Sequence, residues 1–112
     1  MDHRVQSLII LMQRNLRRDL TLNEMAQHLN LTPEHLCRIF KAETGRSPAR
    51  YFKCLKMQRA RELLETTRLS VKEIMAMVGM KDESHFVRDF ETTYGLTPAK
   101  HRAAHLNDHS SE

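Results

Sequence analysis

The sequence predicts an all-α fold made of two copies of one small helical unit, and three observations carry that prediction. Its 112 residues contain three Gly, three Pro and no Trp, amid many Leu, Met, Arg, Lys, Glu and Ala, whose straight side chains lose little rotamer freedom in a helix. Apolar residues recur at i, i+3, i+4 and i+7. Finally, the chain repeats itself: Leu20-Thr21-Leu22-Asn23-Glu24-Met25 returns as Leu69-Ser70-Val71-Lys72-Glu73-Ile74, 49 residues on. His35 to Phe40 and Gly45 to Arg50 return as His85 to Phe90 and Gly95 to Lys100, 50 residues on, so the second copy has gained one residue between the matches.

Each element follows from local chemistry. Asp2 caps a first helix whose stripe is Val5, Leu8, Ile9, Met12 and Leu16, and which is expected to end near Arg17 and Arg18, cations suited to the negative end of the helix dipole. Thr21-x-x-Glu24 and Ser70-x-x-Glu73 are capping boxes, each opening a helix. These two short helices bury Leu22, Met25, Ala26 and Leu29, then Val71, Ile74, Met75 and Val78. They stop at Asn30 and Gly79, the residue types that most readily turn left-handed. Thr32-Pro33 and Asp82 start the next helix of each copy, with Leu36, Ile39 and Phe40, or Phe86 and Phe90, facing inward. Gly45 and Gly95 end them, and Ser47-Pro48 and Thr97-Pro98 begin the helices that follow.

From Pro48 to about Thr66 there is no helix breaker, and Phe52, Leu55, Met57, Ala60, Leu63 and Leu64 spread over an arc wide enough to pack against both flanking units. A closing helix is expected from Pro98 to about His105, before a polar tail, 107–112. The chain therefore reads as one domain, 1–112, with a first unit at about 2–47, a linker helix at about 48–66 and a second unit at about 67–106.

Composition narrows the function. The formal charge of +4 suits an anionic partner. Cys37 and Cys54 form no C-x-x-C pair and no disulfide framework, which suggests a reducing compartment. With no membrane-length apolar run, and acidic Asp2 in place of a signal-peptide pattern, the expected location is the cytoplasm and no membrane is a partner. No Gly-rich phosphate loop occurs. His101 and His105 sit at i and i+4, as in a helical zinc site, but no third ligand is fixed beside them. The expectation is a chain without metal, cofactor or catalytic residues, and not an enzyme.

Two short helices joined by a tight turn, the second amphipathic with Arg near its middle, describe a helix-turn-helix, whose second helix can lie in the DNA major groove. The motif is also an ordinary packing unit, but two copies with matching caps and Arg placement favour DNA. The stretch Gly79-Met80-Lys81-Asp82-Glu83-Ser84-His85-Phe86-Val87-Arg88-Asp89-Phe90, continuing through Gly95-Leu96-Thr97-Pro98 to Arg102, resembles the C-terminal signature of the AraC/XylS transcription regulators. Tyr51-Phe52 and Arg59-Ala60-Arg61-Glu62-Leu63-Leu64 are similar to that family's linker helix, and the resemblance spans roughly Val5 to Arg102. Two positions depart from it: His101 stands where an aromatic usually precedes the closing Arg, and Glu91 replaces a common Lys.

The resemblance implies sequence-specific binding of double-stranded DNA to regulate transcription, with two recognition helices in successive major grooves. It also implies a sensor domain outside this chain and allows RNA polymerase as a partner. The base-reading candidates are Glu34, His35, Cys37 and Arg38 in the first unit, and Ser84, His85, Val87 and Arg88 in the second. Arg38 and Arg88 lead, because a guanidinium fork can bond guanine O6 and N7 together; a phosphate contact or a solvated Arg is the alternative. Glu34 could accept from cytosine N4 or simply favour the helix dipole. Cys37 and Val87 could touch a thymine methyl or fill space. Phosphate contacts are assigned to Lys41, Arg46, Arg50, Lys53, Lys100 and Arg102, and to helix-start N–H groups near Thr21 and Ser70. The competing reading is a helical protein-interaction module that has lost DNA binding.

Overall fold

The computed structural model describes residues 2–110, with side chains through Leu106. Seven helices follow one another: α1 (His3–Arg14), α2 (Leu22–His28), α3 (Pro33–Thr44), α4 (Pro48–Thr66), α5 (Val71–Met77), α6 (Glu83–Tyr94) and α7 (Pro98–Ser110). No strand occurs among the described residues. The chain divides into two compact units, Met1–Leu55 and Lys56–Glu112, so the boundary falls inside α4.

In the first unit, Asp2 caps α1 by accepting from the Arg4 amide at 2.8 Å. That helix ends at Arg14, three residues before the expected Arg17, because Asn15 turns the chain: its side-chain amide donates to the Leu11 carbonyl at 2.7 Å and its backbone N–H to Met12. Thr21 and Glu24 form the expected capping box of α2. Asn30 takes φ +56°, left-handed as its position requires, while the Leu31 N–H reaches back to the Ala26 carbonyl. Thr32 caps α3 through His35, and Gly45, at φ +79°, ends it. The core is Val5, Leu8 and Met12 of α1, Leu20, Met25 and Ala26, Leu36 and Phe40 of α3, and Phe52 of α4.

The second unit repeats this logic with other parts. Ser70 and Glu73 cap α5, Gly79 turns left-handed at φ +68°, and the Met80 N–H returns to the Met75 carbonyl as Leu31 does to Ala26. Asp82 caps α6 and Gly95 ends it at φ +84°. Ile74, Met75, Val78, Phe86 and Phe90 form the core with Met57, Ala60, Leu63 and Leu64 of α4. Met57, Ala60 and Leu64 have the spacing of Val5, Leu8 and Met12, so the second half of α4 does for this unit what α1 does for the first. The expectation that α4 serves two cores is met: Phe52 joins one and the later residues join the other.

The closing helix runs to Ser110, past the expected His105, since Asn107 to Ser110 contain neither Gly nor Pro to stop it. Of the expected tail, Ser111 and Glu112 lie outside the described residues.

Candidate nucleic-acid interface

Each unit presents its second helix in the same way. On α3, Leu36 and Phe40 are fully buried, which turns Glu34, Arg38 and Lys41 outward; all three are exposed, and His35 and Cys37 are half-buried beside them. On α6, Phe86 and Phe90 are fully buried, and Ser84, His85 and Arg88 are exposed. Neither Arg38 nor Arg88 makes an ion pair with another of the described residues, so both guanidinium forks are open to a ligand. Val87 packs on the second core, which favours filler over a thymine contact. His85 Nε2 lies 3.5 Å from Asp89 Oδ2, one turn along the helix.

The phosphate candidates separate into two groups. Lys41, Arg46, Arg50, Lys53 and Lys100 are exposed; Arg46 also donates to Cys54 Sγ at 3.1 Å. Arg102 is different. Its Nε donates to the Leu64 carbonyl and its Nη2 to the Thr67 carbonyl, both at 3.1 Å, so the fork satisfies the open carbonyls at the end of α4, where the helix dipole welcomes a cation.

Thr21 and Ser70 are occupied as well. The Thr21 N–H donates to Glu24 Oε1 at 3.2 Å and the Ser70 N–H to Glu73 Oε1 at 3.1 Å, so each cap's own amide already holds a carboxylate. At the second site the Ser70 amide, and after it the Ser70 side chain, hold the Glu73 carboxyl below its ordinary range. Asp2 is lowered in the same way by the Arg4 side chain and then the Arg4 amide.

Three sets of contacts went unread in the sequence. Lys56 is 7% exposed and donates from Nζ to the Val78 carbonyl at 2.7 Å, tying α4 to the end of α5. Its signal was available, because Lys56 interrupts the i, i+4 series Phe52, Lys56, Ala60. His101 stands edge-on to Phe90 with ring centroids 5.6 Å apart, as Tyr51, its counterpart in the first unit, stands 5.3 Å from Phe40. It adds a 2.7 Å bond to Glu65 Oε2, and Glu65 also faces Arg61 at 3.9 Å. Arg61 in turn lies over the Tyr94 ring at 5.0 Å.

Among the described residues no group of three His, Cys, Asp or Glu is placed to hold a metal, and no helix is long and apolar enough to cross a membrane.

Residues 25–104 match the family model described as a helix-turn-helix domain. The chain is 31% identical over 99 residues to the HTH-type transcriptional regulator GbdR of Pseudomonas aeruginosa, covering 88% of this chain and 27% of that one. It is 34% identical over 94 residues to the regulator ArgR of the same organism, covering 84% and 29%. The chain thus spans less than a third of the length of these relatives. Among solved structures, the C-terminal domain of AraT, a response regulator from Geobacillus stearothermophilus, superposes with a TM-score of 0.87 at 31% identity, covering 92% of this chain and 86% of that one. The DNA-binding domain of AdpA, a transcriptional factor solved with a target DNA, has the same fold, with a TM-score of 0.92 at 21% identity and coverage of 99% and 100%. With two capped helix-turn-helix units, a family match over most of its length and relatives of this kind, the chain belongs to the AraC/XylS family of DNA-binding transcription regulators.

Proposed function

We propose that this chain binds double-stranded DNA sequence-specifically and so regulates transcription, with α3 and α6 as recognition helices in successive major grooves. The observation that carries this reading is the matched pair Arg38 and Arg88: same register, same exposed face, no ion pair with the described residues, each above a fully buried Phe pair or Leu-Phe pair that fixes its helix. Arg38 and Arg88 read bases, with Glu34, His35, Cys37, Ser84 and His85 around them. Lys41, Arg46, Arg50, Lys53 and Lys100 hold phosphates. Arg102, Thr21 and Ser70 act within the fold, on the hydrogen bonds described above. The chain performs no catalysis, and its site of action is the compartment that holds the DNA, the cytoplasm of bacteria such as those of its relatives. A sensor domain elsewhere in a longer protein and RNA polymerase are its further partners.

Fluorescence anisotropy on duplexes selected from a random pool, and on random duplexes, over a range of salt tests this. A preference of at least a thousandfold for selected duplexes is expected, the lower end of typical specific binding. Equal affinity for both would mean nonspecific packaging. No binding at low salt would leave the protein-interaction module.

A further inference from the structure

The repeat shows where the backbones of the two units differ. The copies are shifted by 49 residues up to Leu31 and Met80, whose N–H groups return to Ala26 and Met75, and by 50 from the caps Thr32 and Asp82 onward. The added residue is therefore Lys81, exposed in the turn that joins α5 to the recognition helix α6. The left-handed Asn30 stands two residues before its cap, and the left-handed Gly79 three before Asp82. One more residue adds two soft dihedrals, and so a looser joint between the two helices.

Lys56 answers that looseness. It is buried, and its Nζ donates to the Val78 carbonyl at 2.7 Å. Val78 is the C-cap of α5 and immediately precedes Gly79. An ammonium leaves water at a steep cost unless acceptors replace it, so a lysine buried here restrains the backbone that it bonds. The matching position of the first unit, one residue before Val5 as Lys56 is one before Met57, is Arg4. It is half-buried, and its fork is bonded to Asp2 at 3.2 and 3.4 Å, at the start of its own helix. The shorter turn of that unit runs straight into Thr32 and Pro33. The cation on the turn thus accompanies the longer turn.

We propose that Lys56 is a positioning residue for DNA reading: through the Val78 carbonyl it holds the longer turn, and with it Ser84, His85 and Arg88 in the first two turns of α6, in register with the bases. This rests on the DNA-binding reading above. A bidentate base contact has to be held within about 0.5 Å and 10–20°. The ammonium itself is buried and touches no DNA, so its loss changes which bases are preferred and leaves the attraction to the backbone alone.

Competition anisotropy with the whole chain tests this, on the selected duplex and on derivatives changed at single base pairs: those whose preference Arg38→Ala erases and those whose preference Arg88→Ala erases. Lys56→Met is expected to lower discrimination at the Arg88 base pairs about fivefold or more, the lower end for one bidentate pair, with discrimination at the Arg38 base pairs and the salt slope unchanged. Lys56→Arg, which keeps a cationic donor, should recover part of the loss. Ile74→Val is the control, because it loosens the same core without touching the turn. With both variants held well below their unfolding midpoints, Ile74→Val should discriminate as the wild type does. Where Lys56→Met does not fold, Lys56→Gln, with a shorter neutral donor, carries the same comparison. Wild-type discrimination in the Lys56 variants, equal losses in Ile74→Val, or a reduced salt slope with discrimination intact would overturn the positioning role and leave the DNA-binding reading standing. Absence of binding, or of any base preference, in the wild type would overturn both.

Discussion

Arg102 separates a structural role from a DNA-contacting one. Replacing it with Met keeps most of the aliphatic stem and removes two bonds, from Nε to Leu64 and from Nη2 to Thr67, each 3.1 Å long. Hydrogen bonds to a charged group contribute about 1.5–3 kcal/mol each, and the two orphaned carbonyls at the end of α4 would be left with water alone. Because the site is only half-buried, solvent recovers part of this, and a net loss of about 2–4 kcal/mol is expected. For a unit of this size each kcal/mol moves the midpoint by about 4–8 °C, so thermal unfolding followed by circular dichroism should shift by at least about 8 °C. Hydrogen exchange should show the loss in α7 and the end of α4, with α1 to α3 unchanged. Arg102→Lys, which restores charge but not the fork, should recover only part of the stability. A variant with wild-type melting and exchange, but weaker DNA binding and a salt slope reduced by about one, would refute this account and return Arg102 to the phosphates.

Other expectations follow from single contacts. Lys56→Met should destabilise the second unit by about 1–3 kcal/mol through loss of the Val78 bond, read by urea denaturation; an unchanged midpoint would mean that the ammonium contributes nothing net. Gly45→Ala and Gly95→Ala meet no atom within 4 Å of the added Cβ but must hold φ near +80°, so each should cost about 1–2 kcal/mol from backbone strain alone. Ser70→Ala removes the cap of α5 and should cost about 0.5–2 kcal/mol by the same denaturation measurement. The Glu73 carboxyl is depressed in the folded chain, so its contribution is complete above the ordinary Glu value and is lost as pH falls through the lower folded value. Acid titration of wild type and Glu73→Gln should therefore converge at low pH; curves that stay parallel would remove Glu73 from the acid response. Lys53→Ala should weaken selected and random duplexes alike, and a selective loss on one sequence would assign it to base reading instead.

The repeat made most of the fold legible. Capping boxes, left-handed exits and Ser/Thr-Pro starts are local devices whose chemistry is complete within a few residues, and they recur in register in both copies. What the sequence concealed depends on contacts between distant segments. Arg102 looked like any exposed C-terminal cation because Leu64 and Thr67, its acceptors, lie 38 and 35 residues away. The end of α1 moved because the Asn15 side chain competes for backbone carbonyls, which cation placement at Arg17 and Arg18 did not register. Thr21 and Ser70 were read correctly as caps, and each capping box fills the cap's own amide with its own carboxylate. The recognition faces were legible because the buried partners Leu36, Phe40, Phe86 and Phe90 are themselves set by helical periodicity.

Selection of bound duplexes from a random pool, carried out in parallel on wild type, Arg38→Ala and Arg88→Ala, tests the central claim most directly. The reading sets of the two helices differ, with Glu34 and Cys37 on α3 where α6 has Ser84 and the core-packed Val87, so one chain should recover two unlike half-sites rather than a palindrome. Arg38→Ala should erase sequence preference at one or two base pairs of the first half-site and Arg88→Ala at one or two of the second, each leaving the other half intact. A palindromic motif, or motifs identical in all three proteins, would contradict the assignment of these two arginines as base readers.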